Sequence, residues 1–326
     1  MLNNNIKSKV IGVDISSERT RYAVVDVRGN IFDSDSFNTN DYPDAQTFSA
    51  VLSEKIMQMM EKNGGIETFH GVGVSTPSGN HLTGCIENAP NLPWKGHVPM
   101  AALLRDGLGI AVTIGNDAHI AALSERVYGN GRGKRNLLCI KIGSGLGSCF
   151  FSNGREHVGS RGFAGEFGHI CYQENGRLCG CGSRGCLEAY VAHKGIIKTA
   201  EEVLAESSEP SLMRSLNELT PVTICECCNK GDKLAIEVFR RTGHALGYGL
   251  AIYATIIDPE VIVLTGGITN AGKWLLEPTN EAFEAHVFGN LKGKVKIMLS
   301  SIKDEERDVL GASALAWHEP EYSLFK

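Results

Sequence analysis

The densest run of reactive side chains lies between Gly165 and Glu188. It opens as Gly165-Glu166-Phe167-Gly168-His169 and closes as Cys179-Gly180-Cys181-Gly182-Ser183-Arg184-Gly185-Cys186-Leu187-Glu188. One histidine and three cysteines so close together supply the four soft or borderline donors that a tetrahedral zinc ion requires. Gly180, Gly182 and Gly185 let a short chain wrap the ion. A shell closed by His169, Cys179, Cys181 and Cys186 leaves no position for an activated water, so the expected zinc is structural rather than catalytic. Glu166 and Glu188 bracket this loop, and carboxylates held rigidly at a cleft accept hydrogen bonds from vicinal sugar hydroxyls.

Three other segments carry possible chemistry. Asn116-Asp117 follows the predicted strand Ala111–Ile114, at the end where parallel strands deliver functional groups into a crevice. In isolation such a dipeptide is a helix N-cap. In a site, Asp117 would accept the proton of a substrate hydroxyl while Asn116 fixes its orientation. Gly143-Ser144-Gly145-Leu146-Gly147 is a glycine-alternating turn between strands, whose backbone N–H groups can approach phosphate oxygens. A tight hairpin needing positive φ explains the same glycines equally well. Gly266-Gly267, directly after a buried strand and shortly before a helix, is a second contact point for a nucleotide.

The elements around these residues begin with a meander, Val10–Asp14, Thr20–Val27 and Ile31–Phe37, separated by polar turns. Apolar spacing predicts a helix over Asp44–Asn63, stopped by Gly64-Gly65, then a strand at His70–Ser75, a loop from Thr76 to Leu92 and a helix at Met100–Leu108. At Leu137–Phe151 the opening pattern returns, which implies an internal duplication with two similar lobes facing a cleft. Helices at Lys194–Ser207, Lys233–Ile257 and Lys273–Ala285, a buried strand at Glu260–Thr265 and a small-residue helix at Gly311–Trp317 complete the expectation. The expected division is a small lobe of 1–116 plus 305–326 and a large lobe of 117–304.

Length and composition bound the function. At 326 residues, 42% hydrophobic and 21% charged, the chain is long enough for two domains with real cores and is neither disordered nor fibrous. Its 32 basic and 37 acidic residues give a net charge of −5, without the basic excess of a nucleic-acid binder. No stretch approaches a membrane span, and the polar segment Met1–Lys9 is unlike a signal peptide, so a cytoplasmic protein is expected. Of the ten cysteines, Cys85, Cys139, Cys149 and Cys171 stand singly and read as buried free thiols. Cys225, Cys227 and Cys228 have no histidine partner nearby and read as helix-associated.

Together these motifs resemble the ROK family (repressor, open reading frame, kinase) within the sugar kinase/actin-like ATPase fold. The resemblance covers nearly the whole chain: the Asp14 hairpin, Asn88-Ala89-Pro90-Asn91-Leu92-Pro93-Trp94, Gly115-Asn116-Asp117-Ala118, Gly143–Gly147, Glu166-x-Gly168-His169, the cysteine motif through Glu188, and Leu264-x-Gly266-Gly267. It implies an α/β, two-lobed, ribonuclease H-like fold with a duplicated β-meander/α core. It also implies sugar hydroxyls bound by Asn116, Asp117, Glu166, His169 and Glu188, with Asp117 the catalytic base and Gly79 in the loop over the sugar. His169 would meet zinc through one ring nitrogen and the sugar through the other. ATP phosphates would lie near Asp14 and near Gly143, Ser144, Gly145 and Gly147, adenosine near Gly266 and Gly267, and Mg²⁺ beside Asp14. Homodimers or higher assemblies are also implied.

One motif departs from the family. Its first phosphate turn usually reads Asp-x-Gly-Gly-Thr, whereas this chain has Asp14-Ile15-Ser16-Ser17-Glu18-Arg19. A glutamate about 5 Å from a phosphate charge, at an effective dielectric near 20, costs on the order of 3 kcal/mol. Two readings follow: an ATP-dependent hexose kinase acting on glucose or an N-acetylhexosamine, and a sugar-binding sensor that has lost phosphoryl transfer. A DNA-binding repressor of the same family would need a helix-turn-helix domain, and only nine residues precede the first predicted strand.

Overall fold

In the computed structural model, which describes residues 7–160 and 163–318, the opening apolar runs form β1 (Lys9–Ile15), β2 (Arg19–Asp26) and β3 (Ile31–Asn38). They pair antiparallel as the meander requires. Helix α1 (Ala45–Lys62) starts where Asp44 accepts a hydrogen bond from the Thr47 N–H at 2.7 Å, and it stops at Gly64, whose φ of 107° few side chains tolerate. Its inner face buries Phe48, Leu52, Ile56 and Met60. β4 (Phe69–Thr76) then lies parallel to β1.

The next segment corrects the sequence reading. Where a loop was expected over Thr76–Leu92, β5 (Gly79–Asn80) and β6 (Cys85–Glu87) pair antiparallel, and β7 (His97–Val98) extends them into a three-stranded sheet. After α2 (Met100–Leu108), β8 (Val112–Asn116) joins β4 in parallel, giving the order β3-β2-β1-β4-β8. α3 (Asp117–Val127) follows β8 directly; the sequence points to it only through the N-cap reading of Asn116-Asp117, without a helical span.

The second half repeats the plan. β9 (Leu137–Ile142), β10 (Leu146–Ser152) and β11 (Arg155–Glu156) form a new antiparallel meander. The helices α4 (Glu188–Val191), α5 (His193–Glu206), α6 (Pro221–Asn229) and α7 (Lys233–Ile257) intervene before β12 (Val261–Thr265) lies parallel to β9. α8 (Lys273–His286) then leads to β13 (Lys296–Leu299), parallel to β12. The resulting order, β11-β10-β9-β12-β13, matches the first sheet position for position. The duplication inferred from the sequence is therefore present in the topology.

The chain finally contributes α9 (Asp304–His318), which starts earlier than the expected Gly311 because its first turn carries Asp304, Glu305 and Glu306 rather than apolar residues. Two compact units result: Met1–Arg132 with Ile302–Lys326, and Gly133–Ser301. α3 thus belongs with the first unit, not at the start of the second as the division at 117 supposed. The tail 319–326, assigned in that division to the small lobe, lies outside the described residues. Each unit has its own core, around Phe48, Phe69 and Leu104 in the first and around Phe167, Phe239 and Phe283 in the second. Among the described residues no helix is long and apolar enough to cross a membrane.

Close backbone approach explains the small residues at α9. A Cβ on Gly73 of β4 would overlap the Ala312 carbonyl, and one on Gly12 of β1 the Val309 carbonyl. A Gly73→Val variant is therefore expected to lose about 1–3 kcal/mol of stability, read from the urea midpoint at unchanged slope.

Candidate functional site

The second unit brings the predicted metal ligands together. The donor atoms of His169, Cys179, Cys181 and Cys186 all lie within 4.8 Å of one another. His169 Nδ1 is 3.8 Å from Cys179 Sγ, and Cys181 Sγ is 3.7 Å from Cys186 Sγ. A tetrahedron with metal–sulfur bonds of about 2.3 Å has edges of about 3.8 Å, so these separations fit a four-coordinate ion. The loop that holds them is stiffened by backbone hydrogen bonds from Cys179 N–H to the Ser183 carbonyl and from Gly185 N–H to the Arg177 carbonyl.

The thiols differ in readiness to ionise. A hydrogen bond from the Ser183 backbone, reinforced by Cys179, holds Cys181 down at about 7. Burial pushes Cys179 up to about 12 and raises Cys186. Burial thus disfavours the thiolate at Cys179 and Cys186, a cost that a bound cation would offset.

The carboxylates flank the shell on defined sides. His169 turns Nδ1 towards Cys179 and Nε2 towards Glu166, whose Oε2 is 3.9 Å away. Glu188, at the start of α4, has Oε1 3.5 Å from Cys179 Sγ, while its Oε2 accepts the Leu146 N–H at 2.9 Å. The glutamate therefore ties the cysteine loop to the glycine turn, a long-range contact that spacing alone does not show. Ser148 donates to the Gly165 carbonyl and adds a second tie.

Arg177 was missed by sequence reasoning, since a lone arginine in a loop carries no positional signal. Its Nη1 donates to the Ala189 and Gly195 carbonyls at 3.0 Å, and its Nη2 to Thr199 Oγ1 at 3.0 Å and Glu202 Oε2 at 2.5 Å. The guanidinium also stacks 4.5 Å from the centre of the Tyr190 ring. The cysteine loop is thereby fastened to α4 and α5.

The glycines of the turn differ in what holds them. Neither Gly143 nor Gly145 has a positive φ, so hairpin geometry does not require glycine at either position. A Cβ on Gly145 would come within 2.9 Å of Glu188 Oε2, but one on Gly143 would meet nothing within 4 Å. Gly267 is also free of positive φ and faces open space, whereas Gly266 takes φ 95° and packs against Ile142 at the end of β9. Gly143 and Gly267 thus leave open space beside the chain, as Gly180 and Gly289 also do. The first two sit where β9 and β12, neighbouring parallel strands, end.

In the first unit Asn116 does cap α3, its Oδ1 accepting the Ala118 N–H at 2.9 Å, and Asp117 lies in the helix's first turn. Gly79 packs so closely on this strand end that a Cβ would come within 2.5 Å of the Gly115 carbonyl. Asp14, buried near the end of β1, has Oδ2 3.6 Å from Arg21 Nη1. The turn after it is closed by Ser16, whose Oγ donates to the Arg19 carbonyl at 2.8 Å and accepts the Arg19 N–H at 3.2 Å. Ser16, Ser17 and Glu18 take no positive φ, and Glu18 is exposed. The serines therefore replace glycine here without strain.

Among the single cysteines, Cys139 and Cys149 are buried as expected. Cys85 is only half-buried and Cys171 is exposed, against that expectation. Cys225, Cys227 and Cys228 sit on α6, the last two buried, and burial pushes Cys228 up to about 12.

A model of the ROK family matches residues 10–319. The chain belongs to the ROK family. The glucokinase of Halalkalibacterium halodurans is 30% identical over 307 residues, covering 90% of this chain and 91% of that protein. The ROK hexokinase of Thermus thermophilus superposes with a TM-score of 0.81 at 25% identity, covering 95% of this chain and 98% of the other. A ROK glucokinase from Streptomyces griseus, solved in complex with glucose and AMPPNP, gives 0.79 at 27% identity, covering 95% of this chain and 100% of that one. The chain has the actin-like ATPase fold of the ROK sugar kinases, with its duplicated meander and α/β layers.

Proposed function

We propose that this ROK-family chain is an ATP-dependent kinase of a hexose, glucose or an N-acetylhexosamine. The observation that carries the reading is the 30% identity to a glucokinase over 90% of this chain and 91% of that protein, with open glycines at the ends of β9 and β12 beside it. Asp14 would hold Mg²⁺, which would offset charge on the phosphoryl group that ATP supplies. Phosphate oxygens lie against the turn of Gly143, Ser144, Gly145 and Gly147, whose Gly143 N–H is already donated to the Gly145 carbonyl at 2.9 Å, and Gly266 and Gly267 admit the adenosine. Asn116, Asp117, Glu166, His169 and Glu188 are the residues this reading assigns to sugar hydroxyls. Gly79 keeps the hairpin over β8 close to that sugar. Asp117 takes the proton of the attacking hydroxyl.

Zinc held by His169, Cys179, Cys181 and Cys186 is structural, since those donors fill its four positions. It sets the orientation of His169 and the loop between His169 and Glu188. A coupled ADP-release assay over a panel of hexoses tests the activity. Turnover with one or a few hexoses supports it, and no turnover with any, despite sugar-dependent thermal stabilisation, rejects it.

That second outcome is the signature of a sugar sensor, a reading favoured by the Ser16-Ser17-Glu18 turn. A Glu18→Gln variant separates the cases further. If the carboxylate faces the phosphates, removing its charge is expected to lower the KM for ATP by roughly tenfold or more. An unchanged KM places Glu18 away from the nucleotide.

A further inference from the structure

Cys171 lies directly across from a metal ligand. Its backbone forms an isolated antiparallel bridge with Cys186. The flanking hydrogen bonds run from Tyr172 N–H to the Gly185 carbonyl at 2.8 Å and from Leu187 N–H to the Ile170 carbonyl at 3.0 Å. This pattern makes Cys171 and Cys186 a non-hydrogen-bonded pair, in which the side chains leave on the same face. The Cα atoms of such pairs are about 4.5 Å apart, inside the range of roughly 4.4–6.8 Å that a disulfide spans. Gly185 allows the two segments to lie close: its φ is 79°, and a Cβ there would overlap the Gln173 carbonyl. Cys171 is exposed while Cys186 is buried. One sulfur of the pair is therefore open to solvent and the other belongs to the metal shell.

We propose that Cys171 is an oxidation site for peroxides and that its disulfide with Cys186 opens the zinc shell. The Cys171 thiolate attacks one oxygen of hydrogen peroxide, breaking the O–O bond and giving a sulfenic acid and hydroxide. The Cys186 sulfur then attacks the sulfenic sulfur, forms the S–S bond and expels a second hydroxide. With protons from solvent, two cysteines lose two electrons and one peroxide becomes two waters. Cys186 no longer offers a thiolate, so His169, Cys179 and Cys181 are left as an incomplete set of donors. A thiol reductant reverses the change. The zinc-release half of this proposal rests on the zinc reading above; the disulfide half does not.

The test uses the full chain, analysed for metal and then treated with hydrogen peroxide in the presence of a zinc-binding dye. Trypsin separates the relevant cysteines: Cys171 falls in the peptide 162–177, Cys179 and Cys181 in 178–184, and Cys186 in 185–194. The expected product joins 162–177 to 185–194, with one zinc released per cross-link. Cys171→Ser should hold its zinc before treatment and release it roughly tenfold more slowly. The proposal is overturned if the product joins 178–184 to 185–194, the competing pair whose sulfurs are already 3.7 Å apart. It is equally overturned if Cys171→Ser releases zinc at the parent rate. Zinc-free starting protein that still forms the 162–177 cross-link removes the metal reading and leaves the disulfide standing.

Discussion

Asp117→Ala is expected to lower kcat by about a thousandfold while the protein still unfolds cooperatively. The size follows from losing the group that accepts a proton as the sugar oxygen attacks phosphorus. The fold should tolerate the change, because the α3 cap is made by Asn116 Oδ1 and not by Asp117. Asp117→Asn gives the sharper comparison. It keeps the shape and hydrogen-bonding reach of the side chain but accepts no proton, so sugar affinity should move far less than kcat. The measurement is steady-state ADP release beside calorimetric titration with the same sugar. Full activity in either variant removes Asp117 as the base.

The other large effect belongs to the cysteine shell. Cys181→Ser should take the metal content from about one zinc per chain to near none, and sugar affinity should fall by roughly 10–100-fold. The coupling is structural: Glu188 has one oxygen near Cys179 Sγ and the other on the Leu146 N–H. A loosened cysteine loop therefore disturbs His169, Glu188 and the glycine turn together. Removing zinc from the parent protein with a chelator should reproduce the loss, and restoring zinc should reverse it. Metal-free protein with undiminished sugar binding would refute the assignment.

What could be read from the sequence was local. His169, Cys179, Cys181 and Cys186 lie close enough in the chain for their spacing to state a ligand set, and the repeated meander stated the topology. The β5–β6–β7 sheet was hidden because strands of two or three residues show no periodicity. α3 was hidden because its buried positions, Ala118, Ala121 and Ala122 among them, are small, and its first residues drew attention as a site. β13 went unseen for a similar reason, an edge strand only one of whose residues is fully buried. The Glu188–Leu146 hydrogen bond and the Arg177 fastening join residues distant along the chain, so only the folded molecule reveals them. Exposure of Cys171 ran against the general tendency of free thiols, and nothing in its sequence neighbourhood signalled it.

The matching strand orders put the Ser16–Arg19 turn and the Gly143–Gly145 turn at the same topological address. Their lengths differ, however: Ile15 pairs with Thr20, whereas Ile142 pairs with Leu146. The first copy is thus one residue longer and clasped by a serine hydroxyl, the second shorter and closed by the Gly143 N–H donating to the Gly145 carbonyl. Since the gap is in chain length as well as side chains, no point substitution converts one into the other. Swapping them takes a transplanted segment with a deletion, and such a chimera would reveal how far two descendants of one hairpin have drifted from interchangeability.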